Sequence, residues 1–302
     1  MELTAIVLIL ISAVTHAGWN LAGKKQVPDL AFFAVALLFG VVVLLPVVLP
    51  QIHLLSRLPS EIWPMLILGA LAQAIYHGAL ADAYKQGDLS MVYPMVRALP
   101  LVFTALASVA LGRGSALSFA CLWGCFFIAA GCLFLPLKTF ERLRCPCRPT
   151  AAVFLALVAA LGTTGYSLTD DVCIRALNQS LGQTTSRFSI SLLYLFTQTV
   201  LALGLMVPAT LATPSGRSDL ARLRGRRLRM ALVTGVGIVG TYSLVLTAMN
   251  FAADVTYVVA FRQLSIPFGA LLGFIFLREE IHPPRLLGLA AVCLGLVLVA
   301  LG

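Results

Sequence analysis

Two arginines lie deep inside apolar segments, where a permanent cation needs a chemical reason. Arg97 stands between Pro94 and Pro100 in the run GDLSMVYPMVRALPLVF, and Arg262 stands in a similar apolar run ahead of Pro267. At the centre of a membrane helix an arginine costs about 2.5 to 3.5 kcal/mol on insertion scales. Its planar guanidinium binds a carboxylate, phosphonate or phosphate through two parallel hydrogen bonds. We therefore expect at least one of the two arginines to bind an anionic group of a small molecule.

A structural role for both arginines is the alternative. Each guanidinium could satisfy backbone carbonyls, or pair with Asp82 or Asp170 and hold two parts of the chain together. Most acidic residues fall at expected loops or termini, and Asp88 and Asp254 stand where apolar segments begin, as helix N-caps do. Only Asp82, Asp170 and Asp171 could lie inside an apolar layer, and all three are expected near helix ends. Both roles stay open on the sequence alone.

Other polar and aromatic side chains at comparable depth could line the same cavity. They are His16, Trp19, Asn20, Tyr76, His77, Tyr93, Tyr166 and Tyr242. Each aromatic ring could equally be a packing residue, and the hydroxyls of Thr169 and Ser243 are expected to bond their own helix backbone. Imidazole titrates near neutral pH, so His16 or His77 could couple proton movement to the movement of a small molecule.

The composition places all these residues in a membrane. The chain has 302 residues, of which 60% are hydrophobic and 11% charged, and its mean hydropathy is +0.98; a soluble domain carries about 25% charged residues. Apolar runs of about 20 residues, enough to cross a hydrocarbon core, recur along its whole length. Ten spans are expected, at 3–22, 30–50, 62–84, 88–112, 115–136, 151–171, 188–211, 229–250, 254–277 and 285–301. The predicted fold class is therefore an all-α integral membrane protein.

The basic residues divide unequally between the two sides that ten helices create. Fifteen fall on one side, whereas four fall on the other: Arg57, Arg113, Arg175 and Arg187. This bias predicts that the first side is cytoplasmic, that the protein is in the inner membrane, and that both termini are outside. The first span lacks a basic n-region and a clear cleavage site, so we expect a retained helix and no signal peptide. The net charge of +9 then reflects the excess of basic residues on the cytoplasmic side. It is compatible with a contact between RLRGRRLR (222–229) and anionic lipids, and it does not indicate nucleic-acid binding.

Cysteine and histidine show no pattern typical of a metal, disulfide or catalytic site. Of the seven cysteines, only Cys145 and Cys147 lie in a loop, and their CPC lacks the second ligand pair that zinc needs. The four histidines are scattered, with no Ser/His/Asp order and no His-x-x-x-His spacing. We expect no cofactor, no metal and no enzymatic activity. An integral-membrane enzyme acting on lipid, or a purely structural or receptor role, is a weaker alternative.

The two halves of the chain resemble each other. The segment GALAQAIYHGALADAYKQGDLSMV (69–92) aligns without a gap on GVGIVGTYSLVLTAMNFAADVTYV (235–258), and one deletion later Arg97 meets Arg262. The paired positions include Gly69 with Gly235, Tyr76 with Tyr242, Asp88 with Asp254 and Ser90 with Thr256. The chemically unusual arginines are therefore related by the repeat.

Weaker similarities extend the repeat over both halves. The spacing of Gly124 and Gly131 recurs in Gly288 and Gly295, and HAGWN (16–20) loosely resembles TGYSL (164–168). We expect two five-helix units, at 1–148 and 149–302, and because five is odd the second unit enters the membrane upside down. Inverted repeats are an architecture of secondary transporters, whose substrate site lies near the midplane where the repeats meet.

Together these features resemble the drug/metabolite transporter superfamily and, within it, the ten-helix EamA-type family. The resemblance covers essentially the whole chain and is carried by the doubled five-helix unit, by YKQGDLSMVYPMVRALP (84–100) and by LREEIHPPRLLGL (277–289). It implies transport of small metabolites, often amino acids or related polar compounds, without ATP hydrolysis and without a cofactor. Small multidrug transporters of this superfamily exchange protons for cationic drugs through a buried glutamate. No glutamate is expected mid-helix here, so proton-coupled drug export is the weaker reading.

The expected function is thus a secondary transporter or facilitator working by alternating access. The first, third, fourth, sixth, eighth and ninth spans would line the path. Its expected partners are the lipid bilayer and an anionic or zwitterionic substrate such as an amino acid or organic acid. The small-residue spacing of GALLG (269–273) suits a helix pair, so either a monomer or a homodimer is compatible with the sequence.

Overall fold

The protein is described here by a computed structural model of residues 2–23, 28–86, 89–135, 137, 139–140, 151–277 and 282–302. Inside helices, the side chains at 17–23, 89–91, 93–94, 272–274 and 276–277 lie outside this description. All regular structure in the described residues is helical. The α-helices are α1 (Leu3–Gly23), α2 (Leu30–Val48), α3 (Ile62–Gln86), α4 (Leu89–Ser108), α5 (Phe119–Phe134), α6 (Ala151–Leu181), α7 (Arg187–Ala212), α8 (Pro214–Ala221), α9 (Gly225–Met249), α10 (Val255–Phe261), α11 (Ser265–Leu277) and α12 (Pro283–Leu301).

Apolar helices account for the predicted spans. In the described residues, seven helical segments are long and apolar enough to cross a membrane: Leu30–Arg57, Ile62–Gln86, Met95–Ala116, Ala151–Leu181, Arg187–Ala212, Gly225–Met249 and Pro283–Leu301. Shorter apolar helices at Leu3–His16, Phe119–Phe134 and Val255–Leu271 coincide with the other three predicted spans. The all-helical membrane class is confirmed, whereas the ten-helix inverted arrangement remains a prediction.

The ninth predicted span is interrupted in its middle. A 3₁₀ turn at Arg262–Leu264 separates α10 from α11. Pro267 lacks the N–H that would bond the Gln263 carbonyl, so a continuous α-helix cannot satisfy that turn. In contrast, α4 continues across Pro100 without a break and ends in a π-helical turn, Val109–Arg113. The helix is therefore interrupted at Arg262 but continuous at Arg97, although both arginines have prolines nearby.

Asp170 and Asp171 do not lie near a helix end as expected, whereas the predicted N-cap role of Asp254 is confirmed. The sixth span was expected to stop at 171, but α6 continues to Leu181, so Asp170 and Asp171 lie well inside a helix. Asp254 is an N-cap as expected, because its carboxylate accepts a hydrogen bond from Thr256 N at 2.8 Å. The corresponding Asp88 lies outside the described residues.

Helices of the first half pack mainly on helices of the second. Each of three contacts has a counterpart in which the two halves exchange roles. The contact of α3 with α6 corresponds to that of α9 with α1, and the contact of α2 with α9 corresponds to that of α7 with α3. The contact of α4 with α6 corresponds to that of α11 with α1. Three further contacts join helices that occupy the same position in the order of spans in each half: α2 with α7, α4 with α10, and α5 with α12. Exchanging the halves therefore reproduces the main contacts, and α1, α4, α6, α9 and the turn between α10 and α11 come together in the interior.

The two glycine pairs related by the repeat meet where α5 packs on α12. A Cβ atom on Gly131 would lie 2.6 Å from the carbonyl oxygen of Gly288, and one on Gly295 would lie 2.5 Å from that of Gly124. Because the obstructing atoms belong to backbone, they cannot turn aside. Glycine at these four positions therefore lets the two helices touch closely.

Gly131→Ala is expected to lower the free energy of unfolding by about 1 to 3 kcal/mol, since overpacking forces the backbones of α5 and α12 apart. Gly204→Ala in α7 is the matched control, because a Cβ there would meet no atom within 4 Å. In the control, the better helix propensity of alanine should leave stability equal or slightly higher. Thermal unfolding of the detergent-solubilised proteins measures both; equal melting temperatures for Gly131→Ala and wild type would contradict the close packing.

Candidate functional site

The two arginines related by the repeat lie side by side in the interior. Arg97 comes from the middle of α4, and Arg262 begins the 3₁₀ turn that follows α10. Ser265 links them: its hydroxyl oxygen accepts a hydrogen bond from Arg97 Nη2 at 3.3 Å and donates one to the Arg262 carbonyl at 3.0 Å. Gln263 adds a second link, because its Nε2 donates to the Arg97 carbonyl at 3.4 Å. The break in the ninth span thus carries the groups that join it to α4.

Arg97 also contacts α1 through His16. Its Nη2 lies 2.8 Å from His16 Nε2. A guanidinium can only donate, so His16 must accept at Nε2, and the imidazole is neutral with its proton on Nδ1. Burial of the ring and then the nearby positive charges of Arg97 and Arg262 oppose a charged imidazole. His16 is therefore a hydrogen-bond acceptor in this arrangement.

Arg262 rests on aromatic side chains. Its guanidinium carbon lies 5.3 Å from the centre of the Tyr242 ring, within cation–π range. Tyr166 of α6 also lies beside Arg262. The charges of Arg97 and Arg262 act on each other unfavourably. In the described part of the chain no carboxylate pairs directly with Arg262, so its charge is balanced through the rings and over a longer distance.

The carboxylate of Asp170 lies on the far side of the Tyr242 ring from Arg262. Asp170 is fully buried, and it accepts hydrogen bonds from Tyr194 Oη at 2.7 Å and from Gln198 Nε2 at 2.6 Å, both on its Oδ1. The hydroxyl of Tyr242 donates to Oδ2. Tyr242 therefore touches Arg262 with its ring and Asp170 with its hydroxyl. The sequence offered Asp170 as a direct partner of an arginine; the structure places one phenol ring between them.

A row of aromatic rings extends from Arg262 to the first half of the chain. Tyr242 packs edge-on against Tyr166 with ring centres 5.9 Å apart, and Tyr166 packs against Tyr76 at 5.8 Å. His77 lies beyond Tyr76 at 4.8 Å and contacts Phe33 at 4.9 Å on its other side. Its Nδ1 bonds the Gln73 carbonyl of its own helix at 2.8 Å. His77 thus ends the row and is packed away from the arginines.

The remaining candidates fall into three groups. Trp19, Asn20 and Tyr93 have side chains outside the description. Thr169 and Ser243 bond carbonyls of their own helices, Gly165 O at 3.1 Å and Gly240 O at 2.8 Å, as expected. Asp82 is half exposed and lies 3.9 Å from Lys85, so it does not approach the arginines.

Asp171, the other acidic candidate, belongs to a separate ion cluster at one end of the bundle. Its buried carboxylate binds Arg113 Nη1 at 2.7 Å and Arg175 Nε at 2.9 Å. Arg175 also donates to the carbonyls of Ala252 and Ala253, at 3.0 and 3.3 Å. This cluster joins the end of α4, the middle of α6 and the turn between α9 and α10. The cluster holds these helices together. Because Asp171 is bound to Arg113 and Arg175, it does not pair with Arg97 or Arg262.

The interior site therefore presents a positively charged, hydrogen-bonding surface between the two halves. Two guanidiniums, the Ser265 hydroxyl and neutral His16 lie together, bordered by the rings of Tyr166 and Tyr242. Such a surface can bind an anionic group without chemical change to it. The sequence located both arginines, His16 and the two tyrosines; it did not indicate Ser265, Tyr194 or Gln198.

Comparison with known proteins agrees with this description. Residues 3–135 match the model of the EamA-like transporter family. Among curated protein sequences, none is similar enough to count as a relative. A solved crystal structure, described only as that of a protein, superposes with a TM-score of 0.69 at 16% sequence identity, over 100% of this chain and 98% of that chain. That likeness shows a shared fold. The chain is a multi-pass membrane protein, and its residues 3–135 are similar to the EamA-like transporter family, which belongs to the drug/metabolite transporter superfamily.

Proposed function

We propose that the protein is a secondary transporter or facilitator for a small anionic or zwitterionic metabolite, such as an amino acid or organic acid. The observation that carries this proposal is the meeting of Arg97 and Arg262 between the two halves of a chain whose residues 3–135 match a transporter family. The work of such a site is binding and release, so the proposal includes neither catalysis nor a cofactor.

The substrate's anionic group would lie against the two guanidiniums. Its negative charge would relieve the repulsion between Arg97 and Arg262, and the Ser265 hydroxyl would lie within reach of it. The ammonium group of a zwitterion could face the ring of Tyr166 or Tyr76, since aromatic faces attract cations. A lipophilic cation would instead meet two positive charges, which disfavours drug export of that kind.

Alternating access would come from two five-helix units of opposite orientation, residues 1–148 and 149–302. The exchange of contacts between halves supports this arrangement, because α3 on α6 has its counterpart in α9 on α1. The site would then lie where the units meet, as in other inverted-repeat transporters.

The charged ends support the proposed orientation in an inner membrane. Lys85 pairs with Asp219 at 3.6 Å at the end proposed as cytoplasmic, whereas Arg113 and Arg175 share Asp171 at the opposite end. The excess of basic residues on the first side favours the cytoplasm there and both termini outside.

Reconstituted wild-type protein tests the proposal. Liposomes with and without protein would be compared for counterflow of radiolabelled alanine, glutamate, succinate, glycerol 3-phosphate and the lipophilic cation tetraphenylphosphonium. We expect saturable, protein-dependent movement of at least one anion or zwitterion and none of the cation. Movement of the cation alone, or rates equal to those of empty liposomes, would contradict the proposed substrate class.

A further inference from the structure

The Asp170 carboxylate, which is bound by three hydrogen-bond donors, is separated from Arg262 by the ring of Tyr242. Asp170 is fully buried, and each of its three hydrogen bonds, from Tyr194, Gln198 and Tyr242, is one in which the partner donates. Hydrogen-bond donors of this kind stabilise the ionised form of a carboxylate. The same Tyr242 bears the Arg262 guanidinium on its ring, at 5.3 Å. The positive charge of Arg262 therefore helps to hold the negative charge of Asp170 in the interior.

The surroundings of Asp170 can also accommodate its protonated form. Gln198 is 1% exposed, and among the described residues its Oε1 has no hydrogen-bond partner. A turn of the Gln198 amide about its last bond would present Oε1 to a protonated Asp170 as an acceptor, in place of Nε2 as a donor. The hydroxyl of Tyr242 can likewise rotate from donor to acceptor. Neither change moves a helix, so the same side chains can form hydrogen bonds with Asp170 in both of its protonation states.

We infer that Asp170 is a proton-binding site that couples proton movement to transport of the anion, an inference that rests on the proposed function. An anion bound at Arg262 offsets the positive charge that keeps Asp170 ionised. Binding of the anion and binding of a proton to the Asp170 carboxylate then favour each other, and by linkage the effect is reciprocal. The proton comes from water on the side of uptake, forms an O–H bond on Asp170, and returns to water on the side of release.

The groups that face Asp170 from its neighbouring elements make this coupling specific. Helix α7 supplies Tyr194, α9 supplies Tyr242, and α6 itself supplies Tyr166, one ring away, and Cys173. The turn after α10 supplies Arg262, with Arg97 of α4 beside it. Helix α3 approaches through Gly69, where a Cβ would lie 2.8 Å from Gln198 Nε2, and places Tyr76 two rings away. Of the groups named here, Asp170 is the only carboxylate, so its charge is the one that responds to Arg262.

Proton counting in proteoliposomes tests the inference. A pooled set of radiolabelled alanine, glutamate, succinate and glycerol 3-phosphate would be added outside vesicles that contain pyranine, a pH-sensitive dye. In wild type we expect substrate entry to acidify the interior, and each transported compound is then tested alone. An imposed pH gradient should concentrate a monoanion about tenfold per pH unit when one proton moves with it. Asp170→Asn, which has no titrating carboxylate, should lose both effects. Asp82→Asn, a carboxylate far from the arginines, should behave as wild type.

The possible outcomes separate the inference from the proposed function. Protein-dependent substrate flux in wild type with no internal acidification and no response to the gradient would overturn the proton site and leave the proposed function intact. Full proton coupling in Asp170→Asn would also overturn it. Absence of any protein-dependent flux would overturn the proposed function, and the inference with it. Because the wild-type dye measurement needs no variant, a folding defect in Asp170→Asn does not remove the test.

Discussion

Arg262→Gln is expected to lower the initial rate of anion uptake by about 30- to 1,000-fold, because removing one partner of a buried charged pair costs about 2 to 4 kcal/mol. Glutamine keeps a hydrogen-bonding head of similar reach but has no charge to attract the anion. Arg262→Lys should fall between the two, since an ammonium keeps the charge and loses the paired geometry of the guanidinium. The measurement is the rate of radiolabelled uptake into liposomes that contain equal amounts of folded protein.

Arg187→Gln is the matched control for this substitution. Arg187 also lies over an aromatic ring, that of Phe251 at 4.6 Å, but it is exposed at the start of α7 and distant from the interior site. We expect its uptake rate to stay within about twofold of wild type, because an exposed cation–π contact contributes only about 0.5 to 1 kcal/mol, and to stability alone. Equal losses in both variants would mean that Arg262 acts as a structural support.

Asp171→Ala is expected to destabilise the protein by about 1 to 3 kcal/mol. The buried Asp171 carboxylate binds both Arg113 and Arg175, and its loss removes the group that ties α4 to α6. Breaking a buried ion pair costs about 3 to 5 kcal/mol, but these arginine side chains are 37% and 39% exposed, so water offsets part of the loss. Thermal unfolding in detergent should show a melting temperature several degrees lower.

A second carboxylate with two basic neighbours provides the comparison. Asp219 lies 3.6 Å from Lys85 and 3.9 Å from Arg222, with exposed partners. Asp219→Ala should change stability by at most about 0.5 kcal/mol, as is typical of surface ion pairs. If the Asp171 and Asp219 variants melt together at the wild-type temperature, the cluster at Asp171 does not hold the helices.

Much of the fold could be predicted because the bilayer imposes a length and a polarity on each helix. The ten apolar runs correspond to seven long apolar segments and three shorter ones in the described residues. The end of α6 was missed, since polar residues after Asp171 resemble a loop in hydropathy while still forming helix as far as Leu181. The interruption at Arg262–Leu264 had a signal in Pro267, but α4 keeps its helix across Pro100, so proline alone does not decide where a helix breaks.

The interior site could be predicted only in part. The internal repeat aligned Arg97 with Arg262 and so indicated that they are related, and the structure brings them to one place. The partners of Asp170 were missed because contacts between distant helices leave no periodic pattern. One signal was present: Tyr194 and Gln198 stand four residues apart in α7 and therefore lie on one face of an otherwise apolar helix.

The most direct test of the account is a double-mutant cycle between Arg262 and the carboxylate of a transported acid. Uptake of the acid and of its neutral carboxamide would be measured in wild type and in Arg262→Gln. If the guanidinium binds the carboxylate, wild type should prefer the acid by about 30-fold or more, and the variant should lose nearly all of that preference. An equal preference for the acid in both proteins would contradict the proposed contact between Arg262 and the substrate.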